Sequence, residues 1–288
     1  MSFRLGCAIW AYKEWVGESA GSLFPVGSRA TDFLHLYSRR FSTVEGNTTF
    51  YSIPDAATVQ RWVAETPASF KFCLKLPRDV THQGLLTPAI PQAIAFLEQV
   101  QGLGDRLGPF FAQLPPSYSP DRLDDLRCFL TALPRRRFQF ALEVRHLDWF
   151  KEPHVRELNA MLTDLGVGRV LLDTRPIYDC PDNPQIASER RKPQLPLQPV
   201  VTASFSLVRY ISHPNQDLNQ RYLLEWTQQI DLWIQQGIQI YFFVHCPIEV
   251  HSPGNARYLQ LLLEEQGVSV PPLPWNALES PPTQLSLF

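Results

Sequence analysis

Three carboxylates and three cations fall at the ends of strand-like runs in this chain of 288 residues: Glu45, Glu143 and Asp173 against Lys75, Arg145 and Arg209. Charges taken into a protein interior must be paired or bound to ligand, because one left alone costs several kcal/mol. As pairs they would be internal salt bridges; gathered on one wall they would form a site. Glu45 and Glu143 are the candidate acid–base pair, with Lys75 and Asp173 as further catalytic candidates. The planar forks of Arg145 and Arg209 suit phosphate or carboxylate. Asn47, Gln113, His146 and His245 add hydrogen-bonding groups, and Trp10 and Tyr51 offer faces on which a base or sugar could stack.

Glu45, Glu143, His146, Asp173 and His245 could also supply oxygen and nitrogen ligands to a divalent ion. No H-E-x-x-H or other tight ligand spacing occurs, and lysine and arginine in the same pocket would repel the ion. No metal ligand is therefore assigned, and the cofactor is left open. There is no G-x-S-x-G elbow, no G-x-G-x-x-G and no P-loop.

The elements that must position these residues repeat. Strand-like runs at 3–10, 43–50, 70–77, 107–115, 138–146, 169–175, 201–211 and 238–246 alternate with helix-period segments such as 31–41 and 89–102. Ser119-Pro120-Asp121 reads as a helix start, and Gly166, Gly237 and Gly267 stand where helices should stop. Strand–helix repetition implies parallel strands with right-handed crossovers, and eight units favour a closed (β/α)8 barrel over an open doubly wound sheet. The length suits one such barrel, typically roughly 250 residues. Its expected extent is 1–270, with a Pro-rich tail over 271–288. Side chains alternate along a strand, so Phe138, Phe140, Leu142 and Val144 should face helices while Ala141, Glu143 and Arg145 face inward. The same parity turns Glu45, Asn47, Lys75, Gln113, Asp173, Arg209 and His245 toward the barrel's C-terminal end, where barrel active sites lie.

Residues 176–199 are rich in proline and polar residues; a loop this long after strand six would lie over that end as a lid. No stretch approaches the ~20 apolar residues of a membrane span. The N-terminus has no signal-like region, and five scattered cysteines suit a reducing cytoplasm. A net charge of −2 argues against wholesale wrapping of nucleic acid. The basic clusters Arg39–Arg40, Arg135–Arg137 and Arg190–Lys192 read best as solvated surface charge.

Six segments carry a family resemblance: VEGNTTFYSIP (44–54), FKFCLKLPRDVTH (70–82), LGPFFAQLPPSYS (107–119), ALEVRHLDWF (141–150), VRYISHP (208–214) and YFFVHCPIEVHSPGNAR (241–257). In order and coverage the chain resembles the YecE-like family, domain-of-unknown-function family 72. The resemblance implies a TIM-type barrel and no established reaction. It carries the family's polar positions onto Glu45, Asn47, Thr49, Tyr51, Lys75, Thr81, His82, Gln113, Glu143, Arg145, His146 and Arg209. It departs at Ser212, where many relatives show glycine and a side chain could narrow the pocket.

The last five residues, Gln284, Leu285, Ser286, Leu287 and Phe288, resemble the pentapeptide by which bacterial proteins dock on the replication sliding clamp. Gln284 would offer an amide, while Leu285, Leu287 and Phe288 would anchor in an apolar cleft; the alternative is that they fold back on the barrel. Three functions follow. The first is an enzyme on a phosphate-containing substrate, nucleic acid or nucleotide, tethered to the clamp. The second is a non-catalytic module binding DNA or a partner, and the third a small-sugar or small-acid isomerase or hydrolase.

Overall fold

Short apolar runs bounded by glycine, proline and polar turns become strands, and all of them run parallel. They are β1 (Phe3–Cys7), β2 (Thr43–Gly46), β3 (Lys71–Leu74), β4 (Phe110–Gln113), β5 (Phe140–Glu143), β6 (Gly168–Asp173), β7 (Phe205–Ile211) and β8 (Gln239–His245). The computed structural model describes residues 2–17, 22–186 and 191–276. A six-stranded sheet has the order β1-β8-β7-β6-β5-β4, and β2 pairs β3 in a two-stranded sheet. The two abut at both edges. Gly108 N donates to Phe72 O (2.9 Å) and Leu76 N to Phe111 O (3.0 Å), and Ser42 N donates to Leu5 O (3.2 Å).

The helices are α1 (Phe33–Tyr37), α2 (Ala56–Glu65), α3 (Arg78–Thr81), α4 (Ile90–Val100), α5 (Leu123–Ala132), α6 (His154–Leu165), α7 (Arg175–Tyr178), α8 (Gln220–Gln235) and α9 (Ser252–Glu265). Gly166 closes α6 with φ of 64°, a left-handed turn that glycine alone adopts without penalty. Gly237 and Gly267 do the same after α8 and α9. Ser119 does stand at the start of the turn leading into α5, but its hydroxyl donates to Asp121 Oδ2 (3.2 Å) and caps no backbone N–H.

Period-two alternation sorts the core into two layers. Val44, Phe72, Phe140, Leu142, Leu171, Val208 and Phe242 face outward and pack with Trp62, Phe96, Phe129, Leu158, Trp226 and Leu259 of the helices. The opposite row brings Cys73, Phe111, Ala141, Val170, Phe205, Leu207, Tyr241 and Phe243, from six strands, into one inner cluster. The larger of these, such as Phe111, Val170, Leu207 and Phe243, each contribute roughly 1.5–3 kcal/mol by leaving water. Directly above this inner cluster, at the strands' C-terminal ends, the inner rows turn polar.

Three expectations are corrected. The second strand stops at Gly46 because Asn47–Phe50 coil into a 3-10 turn, with Thr49 Oγ1 donating to Lys75 O (2.6 Å) and Gly46 O (2.9 Å). Strand parity therefore does not govern Asn47 or Thr49. The tail does not leave the fold at Pro271: Trp275 is buried between the guanidinium groups of Arg40 and Arg257 and edge-on to Phe41, and Arg40 donates to its carbonyl. Cation–π contact with both guanidinium groups and apolar burial hold it down. Lys192, read as solvated charge, is half-buried, with its backbone tied to the preceding loop by Tyr178 (Oη to Lys192 O, 2.5 Å) and Gln185 (2.7 Å).

Gly6 lets β1 approach β2: a Cβ there would lie 2.0 Å from the Thr43 carbonyl oxygen. Backbone cannot yield as a side chain does. Gly6→Ala is expected to cost about 3 kcal/mol of stability, measured by chemical denaturation; an unchanged midpoint would show that the edge gives way freely.

Candidate active site

Arg209, from the middle of β7, is the centre of the polar layer and is 4% exposed. Its Nε and Nη2 donate to the two oxygens of Glu45 on β2, both at 2.8 Å, and Nη1 donates to Glu143 Oε2 of β5 at 2.5 Å. One guanidinium thus bridges two carboxylates that are 0% and 1% exposed. Both Glu45 oxygens and the other Glu143 oxygen have further donors. Asn47 Nδ2 donates to Glu45 Oε1 (2.6 Å), His245 Nε2 lies 3.0 Å from Glu45 Oε2, and Arg145 Nε donates to Glu143 Oε1 (2.7 Å).

These contacts set the protonation states. Burial alone would raise both carboxyls, but the Arg209 charge, with His245 at Glu45 and Arg145 at Glu143, overcomes it. Glu45 is held well below the usual range and Glu143 falls to about 2. His245 is brought down to about 4 by burial, so near neutrality it is uncharged and presents its Nε2–H to Glu45. Glu45 and Glu143 are fixed anions at neutral pH. The expected acid–base pair is therefore a pair of counter-ions.

Lys75, from the end of β3, is different. It is 6% exposed, its Nζ donates to Gln113 Oε1 (2.8 Å), and it lies 3.8 Å from the Phe50 ring centre. Arg145 Nη2 shares the same Gln113 oxygen at 2.7 Å. Burial, then the neighbouring Arg209 charge, brings the Lys75 amine down to about 7. Glu249, in the loop after β8, is pushed up to about 7 by burial, and its Oε1 is buried without a hydrogen-bond partner. Lys75 and Glu249 are thus brought near neutrality, and burial lowers the Lys192 amine on the same wall as well.

Above this layer opens a cavity of about 560 Å³. Its walls include Asn47, Lys75, Gln113, Arg145, Arg209 and His245, which the strand pattern had gathered, Tyr51, expected at the rim, and also Arg78, His82, Arg191, Lys192 and Glu249. His82 belonged to the family resemblance and Lys192 to a basic cluster. Glu249 carried no signal of its own, since strand parity says nothing about a loop.

Three predicted site residues lie elsewhere. Asp173 shares the outward row of β6 with Leu171, because Val170 and Leu172 take the inward positions. Its carboxylate is fully buried against Arg175 (2.9 Å and 3.0 Å) and Trp226 Nε1 (2.8 Å). Trp10 packs edge-on against Trp62 and Phe72 at 5.3 and 6.2 Å. His146 accepts from Asp148 N (3.2 Å), capping the turn Leu147–Phe150. Ser212 is fully buried; its hydroxyl donates to the His245 carbonyl (2.7 Å) and accepts from Asn255 (2.8 Å), so it braces the strand end and does not narrow the cavity. Gln284, Leu285, Leu287 and Phe288 lie outside the described residues.

Among the described residues, the one trio of His, Cys and acidic ligand atoms within 4.8 Å of each other is Cys180, Asp182 and His213. His213 Nδ1 accepts from Asn215 N (2.9 Å), which leaves Nε2 as the N–H, donating to Asp182 Oδ1 (3.0 Å). A metal-bound imidazole donates through its other nitrogen, so this ring is set for a loop hydrogen bond and not for a metal.

The family described as Protein of unknown function DUF72 matches residues 4–278. The UPF0759 protein YecE of Escherichia coli K12 is 32% identical over 287 residues, 99% of each chain. The UPF0759 protein YunF of Bacillus subtilis is 36% identical over 63 residues, 22% of each. A DUF72 family protein of Enterococcus faecalis V583 superposes with a TM-score of 0.67 at 17% identity, covering 91% of this chain and 95% of its own. One of Thermotoga maritima MSB8 gives 0.66 at 19%, covering 92% and 100%.

Two substitutions separate the buried charges. Arg209→Met strands two buried carboxylates and is expected to cost about 3–5 kcal/mol. Lys75→Met should instead stabilise. The folded-state pKa of Lys75 lies below the unfolded one, so the fold penalises its protonation. That penalty is absent above about pH 10.5, grows as pH falls, and levels off below about pH 7. The gain should reach up to about 4 kcal/mol at neutral pH and fade by pH 10; denaturation at both pH values checks it, and a loss of stability at pH 7 would contradict it.

Proposed function

The chain belongs to the DUF72 family, and from this site we propose that it is an enzyme that binds a small phosphate-carrying ligand and moves protons on it with Lys75 and Glu249. The observation that carries the reading is the charge balance of the cavity. Lys75, Arg78, Arg145, Arg191, Lys192 and Arg209 line it, and among its lining residues only Glu249 is acidic. Glu45 and Glu143 beneath the floor are balanced by Arg209 and Arg145 together, which leaves Lys75, Arg78, Arg191 and Lys192 against Glu249. A concave wall with cations in excess is completed by an anion, and guanidinium groups fit phosphate oxygens in pairs. The volume, about 560 Å³, suits a nucleotide or sugar phosphate. Tyr51 stands at the rim of the same cavity.

The same reading places the cavity at the C-terminal end of a closed (β/α)8 barrel spanning 1–270. The backbone hydrogen bonds between the edges of the two sheets and the inner cluster drawn from six strands support closure. Residues 191–193 act as part of a lid, with Lys192 as its ligand contact. Among the described residues no helix is long and apolar enough to cross a membrane, and five free cysteines suit a reducing cytoplasm. The terminal pentapeptide Gln284–Phe288 is proposed as a clamp-docking segment on its sequence alone. Binding of purified sliding clamp should be lost on deleting 284–288; equal binding without those residues would remove it.

Sulfate, whose charge is constant across neutrality, tests the anion site by calorimetry. Raising the pH from 6 to 8 deprotonates Lys75 and ionises Glu249, both near 7. Each change makes the cavity more negative, so sulfate affinity should fall. His82 and His245, both near 4, stay neutral throughout. Arg145→Ala should weaken sulfate binding about tenfold to a hundredfold, the worth of one charge-assisted contact. Unchanged affinity in Arg145→Ala, or no sulfate binding at all, would refute the reading. Tight, steeply salt-dependent binding of duplex DNA would replace the small ligand by nucleic acid.

A further inference from the structure

Lys75 is a buried amine without a counter-ion. Its Nζ meets the Gln113 carbonyl oxygen at 2.8 Å and the Phe50 face at 3.8 Å. Among the described residues no carboxylate oxygen comes within 4.0 Å of it. The two carboxylates of the polar layer are turned away, held by Arg209, Arg145, Asn47 and His245. The amine nevertheless lines the open cavity. A merely structural lysine would be paired; an anion receptor would be held charged by a partner. Here Arg209 and a guanidinium sharing the same amide oxygen oppose the charged form.

We propose that Lys75 is a nucleophile that condenses with the aldehyde or ketone carbon of a phosphate-carrying ligand to form an imine. This deepens, and rests on, the anion-site reading. The Lys75 nitrogen lone pair forms a C–N bond as the carbonyl π pair moves to oxygen, giving a carbinolamine. The two protons lost by nitrogen pass in turn through the Glu249 carboxylate, on the wall of the same cavity: the first goes to the new alkoxide to make the carbinolamine hydroxyl, the second to that hydroxyl as it departs. One water leaves and no oxidant or reductant is needed; water addition reverses the step. A solvated lysine near 10.4 holds about a thousandfold less free amine at neutral pH than one titrating near 7. The Phe50 face and the buried Gln113 amide keep the amine dry and aimed.

Incubation of the full chain with glycolaldehyde phosphate and cyanoborohydride, followed by peptide mapping, tests this. The reductant traps an imine as a stable secondary amine. The expected result is one adduct, on Lys75, forming about a thousandfold faster than on Lys13 or Lys151. Labelling by unphosphorylated glycolaldehyde should be slower, and sulfate should compete with the phosphorylated probe. Lys75→Arg should abolish the adduct, while Lys151→Arg, on the exposed surface away from the cavity, should retain it. Labelling spread evenly over the lysines, or confined to Lys192, overturns the proposal. If sulfate still binds in that case the anion site stands without the imine; if sulfate fails as well, both readings fall.

Discussion

One guanidinium decides how this site is built. Two glutamates buried at the top of the strands would each be intolerable alone, and a single lysine could not serve both, since its point charge lacks a planar fork. Arg209 reaches Glu45 with two nitrogens and Glu143 with a third. β2, β5 and β7 are thereby fastened across the inner cluster by contacts that depend on direction as well as charge. His245 and Asn47 are then confined to donor roles, because every acceptor position left on Glu45 faces them. The consequence for Lys75 is indirect but large. With both carboxylates consumed, its nearest polar neighbour is a neutral amide, and the charge it feels most is that of another cation.

Where backbone periodicity governs, the sequence was a good guide. Eight strands stand where the apolar runs predicted them, and Phe138, Phe140, Leu142 and Val144 all face the outer core. Lys75, Gln113, Arg145, Arg209 and His245 are inward for the same period-two reason. The errors fall where periodicity was extended past the strand or counted from the wrong residue. Asn47 reaches the cavity from a 3-10 turn, and Asp173 was assigned to the wrong row because every residue of β6 from Val170 to Leu172 is apolar and gives no alternation to read. Trp10 illustrates another limit: an aromatic near a strand end is an equally good core residue, and Trp62 and Phe72 claim it.

Lys192 and Glu249 were missed for a reason of a different kind. Both lie on loops, where charge is ordinarily solvated and neither period nor parity applies. What brings them to the cavity is tertiary: Tyr178 and Gln185 hold the backbone at Lys192, and the turn after His245 carries Glu249 inward. Behind them Ser212 and Asn255 tie the ends of β7 and β8 together through the His245 and His213 carbonyls. The loops that finish the site are thus braced by polar side chains whose partners are backbone atoms, a kind of pairing that no short sequence motif advertises.

The likeness to the Enterococcus and Thermotoga structures, at 17% and 19% identity, is a likeness of fold. A strand framework tolerates such divergence because outward rows need only be apolar and of suitable size. A buried charge network is less forgiving: a change at Arg209, Glu45 or Glu143 leaves a partner uncompensated, so its members must change together or not at all. Lys75 stands outside that constraint, since no ion pair is lost with it and burying its amine costs stability. A fold under pressure for stability alone would replace it with an apolar side chain resting on Phe50. That a titratable amine occupies this position, open to a cation-lined cavity, is the observation from which the proposed role of Lys75 is argued.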